Sequence, residues 1–66
     1  MDVSIVIPLY NESESLIELN GWIYKSFINS SFSYEIIYID DGSNDQSWEI
    51  IENITKENNN VKGISF

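Results

Sequence analysis

The stretch Tyr34-Glu35-Ile36-Ile37-Tyr38-Ile39-Asp40-Asp41-Gly42-Ser43-Asn44-Asp45 decides the fold. From Ile36 to Ile39 it is apolar or aromatic without clean alternation. Such a run suits a parallel strand covered on both faces. It then breaks into acidic and small polar residues around Gly42, the composition of a sharp turn. Beyond the turn, Trp48, Ile51 and Ile54 fall on one helical stripe within Gln46 to Asn58. The unit reads as strand, loop, helix, with Asp45 placed to cap the helix.

The same grammar extends in both directions. Toward the N-terminus, Val3 to Ile7 is a β-branched run ended by Pro8. It reads as a strand that stops or sits at a sheet margin there, because proline has no N–H for a ladder. Leu9 to Glu12 reads as a loop. From Ser13 to Phe27, Leu16, Leu19, Ile23 and Phe27 lie three to four residues apart, so a helix is expected. Asn11 or Ser13 is expected to cap it, with Glu12, Glu14 and Glu18 at the positive end of its dipole. Asn29 to Ser33 is a loop. Toward the C-terminus, Asn58 to Asn60 ends the second helix, and Val61 to Phe66 reads as a third strand.

The order is β-α-β-α-β, an α/β chain with connections of a length suited to right-handed crossovers. A three-stranded parallel sheet in the order 3-2-1 follows, the first half of a Rossmann-like doubly wound sheet. Both helices then cover one face. The other face is expected to expose Ile5, Ile7 and Ile37, or their alternates, and the edge of the first strand is open. These surfaces suggest a truncated domain over residues 1–66 and a homo-oligomer.

Composition agrees. The chain has 66 residues, 42% hydrophobic and 14% aromatic, too apolar for a disordered tail. A domain this small buries only ~60% of its unfolded surface. Three Lys and no Arg face eleven Asp and Glu, for a net charge of −8. Nucleic acid is therefore not an expected partner, and anionic membrane surfaces are not either. No Cys and no His remove thiol, histidine and zinc-finger chemistry. The missing Cys fits a reducing compartment, and a cytoplasmic location is the expectation. No apolar run is long enough to span a bilayer, and no basic leader region opens the chain.

In an open α/β sheet, ligands bind beyond the carboxyl ends of the strands. Two polar clusters fall there, Pro8 to Glu12 and Asp40 to Asp45. Together they suit a nucleoside. Carboxylates accept hydrogen bonds from ribose hydroxyls or a base N–H. Tyr10 offers a ring for stacking, and backbone groups near Pro8 can read a base edge. There is no G-x-G-x-x-G and no P-loop. Asp41, Ser43, Asp45 and Glu52 share the spacing of an EF-hand loop, but Gln46 stands where that loop turns on glycine, and calcium is discounted.

The segments "VSIVIPLYNE" (3–12) and "YEIIYIDDGSNDQS" (34–47) resemble the start of a family 2 glycosyltransferase with the GT-A fold. "WEII" and "VKGISF" look most like the polyprenyl-phosphate sugar transferase branch, of the dolichol-phosphate mannose synthase type. The resemblance implies that Pro8, Tyr10 and Glu12 line a nucleotide pocket, with Glu12 on the ribose. It implies that Asp40 or Asp41 holds the base or ribose of a nucleoside-diphosphate sugar. It implies a divalent metal, Mg or Mn, bound by a later D-x-D motif, and a catalytic base later still. Metal ligands and catalytic residues are then expected outside these 66 residues, which alone would be inactive. The parent enzyme would transfer a hexose to an acceptor such as polyprenyl phosphate, which leaves open an association of the parent with a membrane. Two alternatives compete: a self-associating structural fragment and, more distantly, an acidic phosphoacceptor domain of the receiver type.

Overall fold

The computed structural model describes residues 2–66. Five elements follow in the order β1 (Val3–Leu9), α1 (Ser13–Phe27), β2 (Tyr34–Asp40), α2 (Ser47–Glu57) and β3 (Val61–Ser65). The strands form one parallel sheet in the order β1-β2-β3, the expected 3-2-1 arrangement read from its other edge.

Register settles which side chains share a face. Ile5 lies beside Ile36, Ile7 beside Tyr38 and Leu9 beside Asp40. On the far side of β2, Val61 lies beside Ile36 and Gly63 beside Tyr38. Side chains alternate along a strand, so these positions form one face. Leu9, Ile36, Tyr38 and Val61 on that face are buried with Leu16 of α1 and with Ile51 and Ile54 of α2. Each such side chain, moved from water to the core, is worth roughly 1.5–3 kcal/mol. The opposite face carries Val6, Ile37, Ile39 and Ile64; Val6 and Ile64 are exposed, and Ile37 and Ile39 half-buried. The expectation that Ile5 and Ile7 share an open face with Ile37 is therefore corrected. Ile7 packs against the core, and Ile37 neighbours Val6 instead.

Element boundaries also differ from the sequence reading: β2 runs on to Asp40, α2 ends at Glu57 and β3 at Ser65. β1 continues through Pro8 to Leu9, because β1 is an edge strand and proline's missing N–H costs no ladder bond on its free side. α2 begins at Ser47 rather than Gln46. The continuously apolar β2 is covered by helices on one face only, as its alternation of buried and half-buried residues records.

Two details hold the layers together. The Tyr38 hydroxyl donates to Asn20 Oδ1 of α1 at 2.8 Å. Burial, with a smaller contribution from Tyr34, pushes its phenol up to about 12. At Gly63 the α2 side chains approach so closely that a Cβ would sit 2.6 Å from Ile51 Cγ2 and 3.2 Å from the Trp48 ring. No described helix is long and apolar enough to cross a membrane.

Candidate functional site

The β1–α1 loop (residues 10–12) and the β2–α2 loop (residues 41–46) meet at the carboxyl end of the sheet. Local geometry makes the first loop tight: Asn11 sits at φ 50°, a left-handed conformation that Asn tolerates better than most residues. Gly42 adopts φ 74° in the second loop, where a side chain is disfavoured.

The loops are strapped to each other. Asn11 N–H donates to Ser43 Oγ at 2.8 Å, and Asn44 N–H donates to Asn11 Oδ1 at 2.7 Å. Glu12 N–H donates to Ser47 Oγ at 2.9 Å, and Ser13 N–H to Asp45 Oδ2 at 3.2 Å. Asn44 Nδ2 reaches the Tyr10 hydroxyl at 3.3 Å. The amides of Glu12 and Ser13 at the start of α1 are thus satisfied from residues more than thirty positions away. Neither Asn11 nor Ser13 caps α1 with its own side chain, which corrects that expectation; the N-cap position is Glu12.

Asp45 serves both helices. Its Oδ1 accepts from Ser47 N–H at 2.9 Å and Ser47 Oγ at 2.6 Å, while Oδ2 takes the α1 amide. Bonds from Ser47 are the main cause that holds its carboxyl down at about 2, with those from Ser13 adding to them. The expected capping role is observed in a wider form: Asp45 sits one residue before the N-cap Gln46 and supports two helix starts.

The acidic pair splits. Asp40 faces inward, is 2% exposed, and accepts from both the backbone N–H and the hydroxyl of Ser43. Asp41 is exposed. Neighbours at a strand end point to opposite faces, so the two carboxylates do not converge. Pro8, Leu9, Tyr10, Glu12 and Asp41 line a shallow, open recess of about 310 Å³. Four of the five expected nucleotide residues therefore come together, and Asp40 is set behind them as a loop anchor. Another recess, of about 260 Å³ and nearly all apolar, lies on α1 between Ser15, Glu18, Leu19 and Trp22.

Residues 4–66 match the family described as Glycosyl transferase family 2. The chain belongs to that family. It is similar to undecaprenyl-phosphate 4-deoxy-4-formamido-L-arabinose transferases, at 47% identity over 55 residues in Pseudomonas fluorescens and 44% over 63 residues in Proteus mirabilis. These alignments cover 83% and 94% of this chain but only 16% and 19% of those proteins. The chain thus spans less than a fifth of the length of these two curated relatives. Family membership replaces the receiver-type alternative.

As a family 2 segment, the recess has a clear chemical bias. Its carboxylates, Glu12 and Asp41, accept hydrogen bonds. Lys25 and Lys56 lie in the last turns of their helices, and Lys62 lies in β3, so no cation sits in the recess lining. Hydroxyls and ring N–H groups fit there, whereas a bare diphosphate is repelled. The residues do not fit a resident divalent metal. Among the described residues, no three acidic side chains cluster as ligands, Asp40 is engaged with Ser43, and Asp45 with Ser47 and Ser13.

Sequence reasoning did not single out Ser43, Ser47, Asn11 or Asn44 as cross-loop partners. Asp45 followed two residues later by Ser47, at the start of a helical stripe, is a recognisable local turn signal. Nothing local reveals that the same atoms serve the other loop.

Proposed function

We propose that this chain forms the nucleotide-recognition part of a glycosyltransferase that uses a nucleoside-diphosphate sugar. The observation that carries the reading is the convergence of Pro8, Tyr10, Glu12 and Asp41 on one recess at the carboxyl end of a family 2 sheet. In this reading the Tyr10 ring stacks on the base, Glu12 accepts from the ribose hydroxyls, and Asp41 accepts from a base N–H or the ribose. Asp40 acts one step removed, by fixing Ser43 and so the loop that carries Asp41. The diphosphate, and the Mg or Mn that accompanies it, is held by residues other than these. The acceptor is polyprenyl phosphate, supported by the undecaprenyl-phosphate named in the relatives. Those names carry a modified L-arabinose, so they support sugar transfer without favouring the hexose of the sequence-based expectation.

Titration with UDP and with GDP, each with Mn²⁺, tests the reading. Backbone amide shifts of Tyr10, Glu12 and Asp41 are expected to move and saturate. Unmoved shifts at millimolar nucleotide reject it in favour of a purely structural, self-associating role. The apolar face bearing Val6, Ile37, Ile39 and Ile64 supports self-association of the chain. Sedimentation equilibrium is expected to give a mass above 7.6 kDa, and a clean monomer contradicts it.

A further inference from the structure

We propose that Asp45 is a positioning residue for nucleotide binding, acting across the two loops without touching the ligand; this rests on the nucleotide reading above. Asp45 does not line the recess. Its two carboxylate oxygens nevertheless divide their work between the two loops: Oδ1 holds the start of α2 through Ser47, and Oδ2 holds the start of α1 through Ser13. Ser47, fully buried, extends the link by accepting from Glu12 N–H while it donates to Asp45. Glu12 is therefore placed by a carboxylate that belongs to the opposite loop. The β1–α1 loop has no side-chain cap of its own to fall back on.

Asp45→Asn separates this role from ordinary capping. Asn is as good a cap as Asp, so one helix start keeps its acceptor. The amide has only one oxygen, however, and its NH2 group meets the remaining backbone N–H donor to donor. Turned one way, the amide keeps the bond to Ser13 and forfeits the α2 start; turned the other way, it keeps the α2 start and forfeits Ser13, so one side chain no longer holds both starts together. Ser13 and Glu12 are left in a looser loop, and nucleotide affinity is expected to fall about tenfold, the factor that corresponds to losing one good capping interaction.

The test compares the wild type, Asp45→Asn and Asn58→Ala by calorimetric titration with UDP and GDP in the presence of Mn²⁺. Asn58 caps the far end of α2, its Nδ2 donating to Ile54 O at 3.0 Å, and serves as a stability control remote from the loops. The expected result is a roughly tenfold weaker Kd for Asp45→Asn and an unchanged Kd for Asn58→Ala. Amide exchange at Glu12 and Ser13 is expected to accelerate in Asp45→Asn alone. Wild-type affinity in Asp45→Asn, or an equal loss in Asn58→Ala, overturns the positioning role while leaving the nucleotide reading intact. A wild type that binds neither nucleotide overturns both.

Discussion

Substituting Gly63 with alanine probes how β3 is held beneath α2. An added Cβ meets Ile51 Cγ2 at 2.6 Å and the Trp48 ring at 3.2 and 3.3 Å. Carbon atoms pack best at about 3.5–4.0 Å, so the isoleucine contact is short by roughly 1 Å. Ile51 has no easy retreat. It is completely buried, and a β-branched side chain in a helix is confined to essentially one χ1 rotamer. Relief requires α2 to move off the sheet. Overpacking of this kind costs about 1–3 kcal/mol. The backbone offers a partial offset. Gly63 does not occupy the left-handed region, so alanine stiffens the unfolded chain and returns about 0.4–1 kcal/mol. The net loss is roughly 1–2 kcal/mol, which for a domain of this size lowers Tm by roughly 4–15 °C. Gly21→Ala provides the opposite case. Nothing lies within 4 Å of its added Cβ, and the site is mid-helix. Alanine there is expected to gain about 0.5–1 kcal/mol. Thermal unfolding followed by circular dichroism compares the three proteins. A Gly63→Ala Tm at or above wild type refutes the close approach of α2, and a Gly21→Ala gain in the same series shows that the assay resolves such differences.

Other expectations concern the polar anchors. Tyr38→Phe removes the bond to Asn20 and is expected to cost about 0.5–1.5 kcal/mol, read from urea midpoints. Because the folded phenol titrates near 12 instead of 10, the neutral form is favoured in the fold. Wild-type stability is expected to fall as pH rises from about 10 through about 12, and Tyr38→Phe to lack that component. Asp45 has the reverse sign. Its carboxyl is held near 2, so its contribution is present above about 4 and lost as pH falls toward 2; Asp45→Asn is expected to flatten that acid limb in pH-dependent melts. Ser47→Ala leaves Glu12 N–H without its acceptor at a part-buried position and is expected to cost about 0.5–1.5 kcal/mol; an unchanged midpoint contradicts the strap.

What the sequence discloses is local, and what it withholds depends on distant pairing. The stripe of Leu16, Leu19 and Ile23, the β-branched run of β1 and the polar break at Asp40 each announce an element from its own neighbours. Their order then leaves few parallel topologies. The face that Ile5 and Ile7 occupy is different in kind, since it follows from the registration of β1 on β2, where a slip of one residue reverses every side chain. Pro8 illustrates the same limit. Its effect on a strand depends on whether its free side faces a neighbour, and only the sheet order answers that. The convergence of Tyr10, Glu12 and Asp41 on one recess is legible because they follow strand ends that topology must bring together. The inward turn of Asp40 follows from strand alternation, but the choice between Asp40 and Asp41 waits on knowing which face the helices cover.

The straps between the loops also set an order of events during synthesis. Contacts that join residues 32 to 35 positions apart close late, because chain entropy must be spent before they form. As the polypeptide leaves the ribosome, residues 10–12 have emerged long before Ser43, Asp45 and Ser47. Until Ser43, Asp45 and Ser47 follow in turn, the amides of the β1–α1 loop have no cross-loop partner, whatever α1 has achieved by then. The recess therefore matures only after β2 and the start of α2 have emerged, well after α1 is free to form. Pulse-labelled exchange on stalled nascent chains is expected to show Glu12 and Ser13 acquiring protection only after β2 and the first turn of α2 are free of the tunnel.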